Sequence, residues 1–234
     1  MFLLELAEMG EVSKSLVITG YTSKIAEDFV AIALARNQNL QILRCGRRSD
    51  ADFQVDFSSY DQTRAFVNWL IQLQPDYLFV NHGMLPGKRL NKMHKELIDE
   101  TLGTNLVSFL MILEELLKCK NLRTVVTSSV SGKAGSFDTL YASCKAGVDL
   151  TIKSIAKLVP SNSRLNAVSP GIIADAGMTL ARTDHDTLAT KCGLTPTRHF
   201  TTSKDVAGLV YYILFESENI QGENININGG IFIT

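Results

Sequence analysis

Short apolar runs and amphipathic stretches alternate along this chain. Residues 15–20 form a strand-length apolar run closed by glycine, and residues 25–37 repeat apolar positions at the spacing of one helix face. The pair then recurs. Residues 40–44 and 53–56 read as the second and third strands, and the third feeds a helix over 60–73 that Pro75 ends. Residues 77–80 supply a fourth strand, a helical pattern runs from about 96 to 119, and residues 123–127 supply a fifth strand. The next helix carries Cys144, Val148, Ile152, Ile155 and Val159 on its apolar face and stops before Pro160. Residues 165–168 and 224–227 are the sixth and seventh strands. Between them lies a helix over 203–215, with Ser203 as its N-cap and Asp205 in its first turn. Residues 172–202 show no clear period and are predicted to form an irregular lid.

Nearly continuous apolar strands alternating with helices imply an α/β fold, a doubly wound sheet of about seven parallel strands with helices on both faces. Ligands of such sheets bind beyond the carboxyl ends of the strands. Gly20, Asn81, Ser129, Pro170 and Gly171 all follow strands, so they are expected to converge on one crevice. Residues 15–234 read as a single domain behind an N-terminal extension, 1–14, in which Met9 is as good a start as Met1.

Composition narrows the function classes. The 234 residues are 45% apolar, enough for one large core, and 23 basic against 24 acidic residues leave a net charge of -1. That balance supplies no overall field for nucleic acid or an anionic membrane. Cys45, Cys119, Cys144 and Cys192 form no Cys-x-x-Cys pair and read as reduced thiols. His82, His94, His185 and His199 lack metal-ligand spacing, so no metal site is expected. The first residues are apolar but lack a basic leader, and no run reaches the length of a membrane span, which leaves the cytoplasm as the expected compartment.

The chemistry centres on Tyr141 and Lys145, four residues apart and hence on one helix face. A nearby ammonium favours the ionised phenol and moves its pKa down toward the range of a working general acid. Such a pair alone is common in helices. The ordered set Asn105, Ser129, Tyr141, Lys145, followed by Asn-Ala-Val-Ser-Pro-Gly at 166–171, is far less so. With that set, the chain from residue 15 onward resembles the short-chain dehydrogenase/reductase family of the single-domain type. The resemblance implies a Rossmann-type fold and an NAD(P)-dependent oxidoreductase that interconverts a ketone or aldehyde and its alcohol. It implies that Tyr141 is the acid or base and that Ser129 donates to the same substrate oxygen. Lys145 would hold the nicotinamide ribose and lower the pKa of Tyr141, and Asn105 would anchor a water in a proton relay through Lys145. Ser128 and Ser131 compete with Ser129 in a serine-rich run and are read as structural.

The cofactor site follows from the same resemblance. The family's Thr-Gly-x-x-x-Gly-x-Gly appears here over residues 19–26 with Gly20 kept, Lys24 at the second glycine and Ala26 at the third. Gly20, Thr22, Ser23, Lys24 and Ile25 are then the pyrophosphate loop, where Lys24 takes positive φ only at a cost but brings an ammonium within reach of phosphate. The second strand ends in Gly46, Arg47 and Arg48, with no acid to repel a 2′-phosphate, so NADPH is predicted over NADH. Asp56 and Phe57 resemble the acid-apolar pair at adenine. Asn81 and Gly83 resemble the family's Asn-Ala-Gly turn, with Asn81 stabilising the sheet and His82 in the small residue's place, read as packing. Tyr141, Lys145, Pro170, Gly171 and Ile173 complete the set, Ile173 through its backbone where Asp175 displaces the family's carboxamide-binding Thr.

Two other readings stand beside this one: a dinucleotide-binding sensor or interaction protein with little turnover, and a sugar-nucleotide epimerase or dehydratase. The complete proton set argues against the first, and the few residues after the seventh strand argue against the second. The substrate is a small carbonyl or alcohol that the sequence does not specify. Asp184, His185, Lys191 and Arg198 in the lid divide between substrate contact and a solvated face. The resemblance implies a homo-dimer or homo-tetramer.

Overall fold

The computed structural model describes residues 14–37 and 39–233, so the predicted N-terminal extension lies, apart from Lys14, outside the described residues. Seven parallel strands form one sheet in the order β3-β2-β1-β4-β5-β6-β7. They are β1 (Ser15–Thr19), β2 (Gln41–Gly46), β3 (Phe53–Gln54), β4 (Tyr77–Val80), β5 (Arg123–Thr127), β6 (Arg164–Pro170) and β7 (Asn224–Ile227). The order reverses between β1 and β4, which opens a crevice at their carboxyl ends.

Helices cover both faces because the central strands are apolar on both. On one face α1 (Lys24–Arg36) packs Phe29 and Ala33 onto Leu16, Ile18 and Phe79. On the other, α2 (Tyr60–Leu73) brings Phe66, Val67 and Leu70 to Val17, Leu78 and Val80. Ser23 and Ser59 cap these helices, each accepting an amide of its first turn. α2, β4, β5 and β7 match their expected bounds.

The predicted helix over 96–119 is divided. α3 (Lys95–Leu102) passes through a π-turn, Gly103–Val107, into α4 (Ser108–Glu115), and a short 3-10 turn, Leu116–Lys118, ends it. Hydrophobic spacing does not mark a one-residue insertion, which leaves the apolar face almost aligned. The π-turn starts at a close approach across the fold: a Cβ on Gly103 would stand 2.7 Å from the Ser58 carbonyl oxygen. At this approach only glycine fits.

After β5 come α5 (Ser131–Ala134), which the sequence does not announce, and α6 (Thr139–Ile155), which ends a turn before Val159. Cys144, Val148, Ile152 and Ile155 are buried on α6 as predicted. The lid is not irregular. It holds α7 (Gly177–Leu180) and α8 (His185–Leu194), neither of which buries a residue, so no apolar period could reveal them. α9 (Ser203–Tyr211) runs into a second π-turn, Tyr212–Glu216, and packs Val206, Ala207 and Val210 beside α1. Its N-cap is Thr202 rather than Ser203: Thr202 accepts the Asp205 amide while the Asp205 carboxylate accepts the Thr202 amide.

Candidate active site

The carboxyl ends of the strands bring the predicted residues together through a chain of short bonds. Gly20 leaves β1 at φ +62°, and a Cβ there would lie 2.7 Å from the His82 Cα, so the loops after β1 and β4 touch backbone to backbone. Asn81 then joins three strand ends. Its Nδ2 donates to Ser23 Oγ (2.7 Å) and the Gly20 carbonyl (3.3 Å), and its Oδ1 accepts from Thr127 Oγ1 (2.8 Å). Asn81 is thus the sheet-stabilising residue the sequence suggests. Val130 donates to the Pro170 carbonyl and Gly171 to the Ile227 carbonyl, which closes the crevice on the β6 side.

Tyr141 and Lys145 project from α6. Asp138 fixes the start of this helix, accepting the Tyr141 amide on Oδ1 (3.1 Å) and the Gly87 amide on Oδ2 (2.9 Å). An Asp three residues before Tyr141 is the N-cap signal that could have identified it. Ser129 sits close enough to hydrogen-bond the Tyr141 phenol, and its Oγ accepts the Ser131 amide at 3.1 Å. Gly132 sets this approach: a Cβ there would meet the Ala146 nitrogen at 2.8 Å, so α5 lies directly on α6. Ser128 instead bonds the buried Asp149 carboxylate, and Ser131 opens α5, in keeping with structural roles for both.

Lys145 is buried, donates to the Thr127 carbonyl at 2.9 Å and lies 4.7 Å over the Phe109 ring and 5.9 Å from the Tyr141 ring centroid. Asn105 occupies the π-turn, fully buried. It clasps the Met84 backbone, accepting its amide (3.0 Å) and donating to its carbonyl (2.9 Å). A Cβ on Gly83 would stand 3.2 Å from Asn105 Oδ1 and 4.0 Å from Lys145 Nζ, so this glycine lets Asn105 and Lys145 share one space.

The electrostatics differ from the expectation in one respect. Burial holds the Lys145 ammonium down to about 8, with Asp149 opposing that shift. Burial also pushes the Tyr141 phenol up to about 12, against the hydrogen bond from Ser129. Desolvation is the largest influence on the phenol, and Lys145 is not among the groups that lower it. The phenol is therefore protonated at neutral pH. Cys144, between them in sequence, is raised to about 11 by burial and stays a thiol.

The residues expected to hold a dinucleotide lie around the β1–α1 turn and the end of β2. Lys24 is the first residue of α1, with helical backbone, so positive φ is not demanded of it. Its ammonium turns away from the loop to Asp28 Oδ1 (2.8 Å) and Glu27 (3.6 Å). The first amides of a helix such as α1 have no intrahelical acceptor and suit an anion. Ser23 is occupied as N-cap and Asn81 partner, Thr22 is exposed, and Ile25 is buried, which leaves Ile25 only its backbone to offer. Arg47 and Arg48 are exposed at the end of β2, Arg47 loosely paired with Glu100 (4.0 Å) and Arg48 bonded to Asp50 (3.1 Å).

That last contact corrects the expectation of an acid-free site. Asp50, four residues beyond β2, folds back to accept from Tyr21 Oη and Arg48 Nε, and the Tyr21 ring lies where a Cβ on Gly46 would be 3.2 Å away. Only the turn brings it there, so strand-end spacing missed it. Asp56 closes its own turn with Ser58, and Phe57 is buried, stacked on His82 at 3.8 Å. His82 is thus a packing residue as expected, with both ring nitrogens bonded. Asp175 faces Ser203 at the start of α9, bonding its amide (2.8 Å) and hydroxyl, while Ile173 bridges to Thr201. Among the described residues there is no cluster of three or more metal-ligating side chains and no helix long and apolar enough to cross a membrane.

Comparison with known proteins agrees with this geometry. The family model described as enoyl-(acyl carrier protein) reductase matches residues 28–232. The chain is 26% identical over 237 residues to an acetoacetyl-CoA reductase of Acinetobacter sp. (strain RA3849), covering 95% of this chain and 92% of that protein. It is 30% identical over 165 residues to the 3-oxoacyl-(acyl-carrier-protein) reductase FabG of Vibrio harveyi, covering 68% and 67%. Its fold superposes on a solved short-chain dehydrogenase/reductase, a glucose/ribitol dehydrogenase from Brucella melitensis, with TM-score 0.82 at 21% identity over 95% of this chain and 98% of that one. The seven-stranded order, the crevice at its reversal and these matches together place the chain in the short-chain dehydrogenase/reductase family of oxidoreductases.

Proposed function

We propose that this protein reduces a ketone to an alcohol with NADPH, and that a 3-oxoacyl thioester is the substrate class to test first. The observation that carries the reading is the meeting of Ser129, Tyr141, Lys145 and Asn105 in one crevice beside a helix N-terminus. The two curated relatives described above, named for reducing acetoacetyl-CoA and 3-oxoacyl carrier thioesters, support the substrate class.

A dinucleotide fits the residues present. The Gly20 loop admits close backbone approach, the first amides of α1 suit a pyrophosphate, and the exposed Arg47 and Arg48 would exchange Glu100 and Asp50 for a 2′-phosphate. When bound, the reduced nicotinamide supplies hydride. Tyr141 gives its phenolic proton to the carbonyl oxygen, and Ser129 donates a second hydrogen bond to the charge developing there. Lys145 returns a proton to Tyr141. With its side chain spent on Met84, Asn105 would hold the relay water through its main chain in the π-turn.

Loss of NADPH absorbance with acetoacetyl-CoA tests the reading. Tyr141→Phe should cut turnover by about 10²–10⁴-fold while leaving NADPH fluorescence titration within about twofold of the parent. A variant with full activity would remove Tyr141 from the chemistry, and a parent that binds no dinucleotide would return the chain to an interaction role.

A further inference from the structure

His82 does more than fill space. Thr19 Oγ1 accepts two amides, those of Asn81 (2.9 Å) and His82 (3.3 Å), so its own proton is directed at His82 Nδ1 (2.8 Å). The ring proton therefore sits on Nε2 and goes to Ser108 Oγ at 2.9 Å. Ser108 passes its proton on to the Thr104 carbonyl (2.8 Å), inside the π-turn that carries Asn105. The ring faces complete the join: Phe57 stacks at 3.8 Å and 11°, and Phe109 lies at 4.4 Å. One buried side chain thus ties together the glycine loop, the turn after β4, the Asp56–Phe57 step and the π-turn.

We propose that His82 is a positioning residue, holding the π-turn, and with it Asn105, in register with Lys145 and the Gly20 loop. Each hydroxyl and ring nitrogen in the series has a partner, so displacement of the π-turn breaks the link between His82 Nε2 and Ser108 Oγ. A small side chain at 82 could neither bridge Thr19 to Ser108 nor fill the space between Phe57 and Phe109. This rests on the reading of Asn105 and Lys145 as the proton route, and it adds the part that keeps the route assembled.

The test is a double-mutant cycle of His82→Ala and Ser108→Ala in the full chain, read by kinetics and by amide hydrogen exchange over residues 103–108. His82→Ala is expected to lower kcat about tenfold or more with the KM for the ketone little changed, and to speed exchange in the π-turn. Ser108→Ala is expected to move both in the same direction by less, and the double variant to match His82→Ala alone, since the two act in series. Additive losses, or a kcat within about twofold of the parent in His82→Ala, would overturn the proposal. If His82→Ala does not fold, Ser108→Ala decides alone: faster π-turn exchange supports the link and unchanged exchange refutes it. If the parent reduces no ketone at all, the functional reading fails, while the exchange arm still reports on His82.

Discussion

Tyr141 and Lys145 are shifted in opposite senses from their usual values, the phenol up and the ammonium down, both chiefly by burial. A phenol held up to about 12 keeps its proton throughout the working range, which suits reduction, whereas oxidation needs it gone. In the proposed mechanism the limiting group is Lys145, whose ammonium is lost as pH rises through about 8. Reductive kcat/KM should therefore fall above that pH, and the fall should vanish in Lys145→Arg even if the plateau drops, because a guanidinium stays charged. A parent profile flat to pH 10 would contradict this. Asp50 offers a second residue-level outcome. Its carboxylate pairs with Arg48, which the proposed function turns toward a 2′-phosphate, so Asp50→Asn should raise the NADPH-over-NADH preference about fivefold, measured as the ratio of kcat/KM values. An unchanged ratio would place Asp50 outside the cofactor site.

Short elements, more than long ones, set the geometry here. α5 has four residues and touches α6 through Gly132, with nothing between it and the Ala146 nitrogen. Gly132→Ala forces the two apart and should cost about 1–3 kcal/mol of stability, seen in denaturant unfolding. It should also lower kcat more than it weakens cofactor binding, because Ser129 and Tyr141 separate. These are also the elements that the sequence conceals. Strands such as Tyr77–Val80 and helices such as Tyr60–Leu73 were legible because a buried face writes its period into the residues. The π-turn at Asn105 was not, since the close approach at its start joins Gly103 to the Ser58 carbonyl, 45 positions earlier in the chain. Nor were α7 and α8, whose exposed sides carry no pattern. Asn105, Ser129, Tyr141 and Lys145 were legible as an ordered set, while Asp50 and Asp138 reach the site through turns and caps that are visible only once folded.

At the scale of the whole molecule, the crevice is assembled from both halves of the sheet, so a ligand that fills it binds only the folded chain. NADPH at a hundredfold excess over its Kd should raise Tm by roughly 5–10 °C, and NADH at the same concentration by less if the Arg47 and Arg48 reading holds. No shift with either would count against a dinucleotide site. The His82 junction carries a further consequence for how this sequence can change. It unites residues 19, 57, 82, 104, 108 and 109, which belong to segments distant in the chain. A smaller residue at 82 would take the acceptor from the Thr19 proton and the donor from Ser108 Oγ, while their bonds to backbone groups remain. Such a change should cost less stability when Thr19 and Ser108 are replaced with it than alone, a difference that denaturant unfolding of the combined variants would read. The three positions are thus expected to change together, so a chain with histidine at the first should carry hydroxyl side chains at the other two.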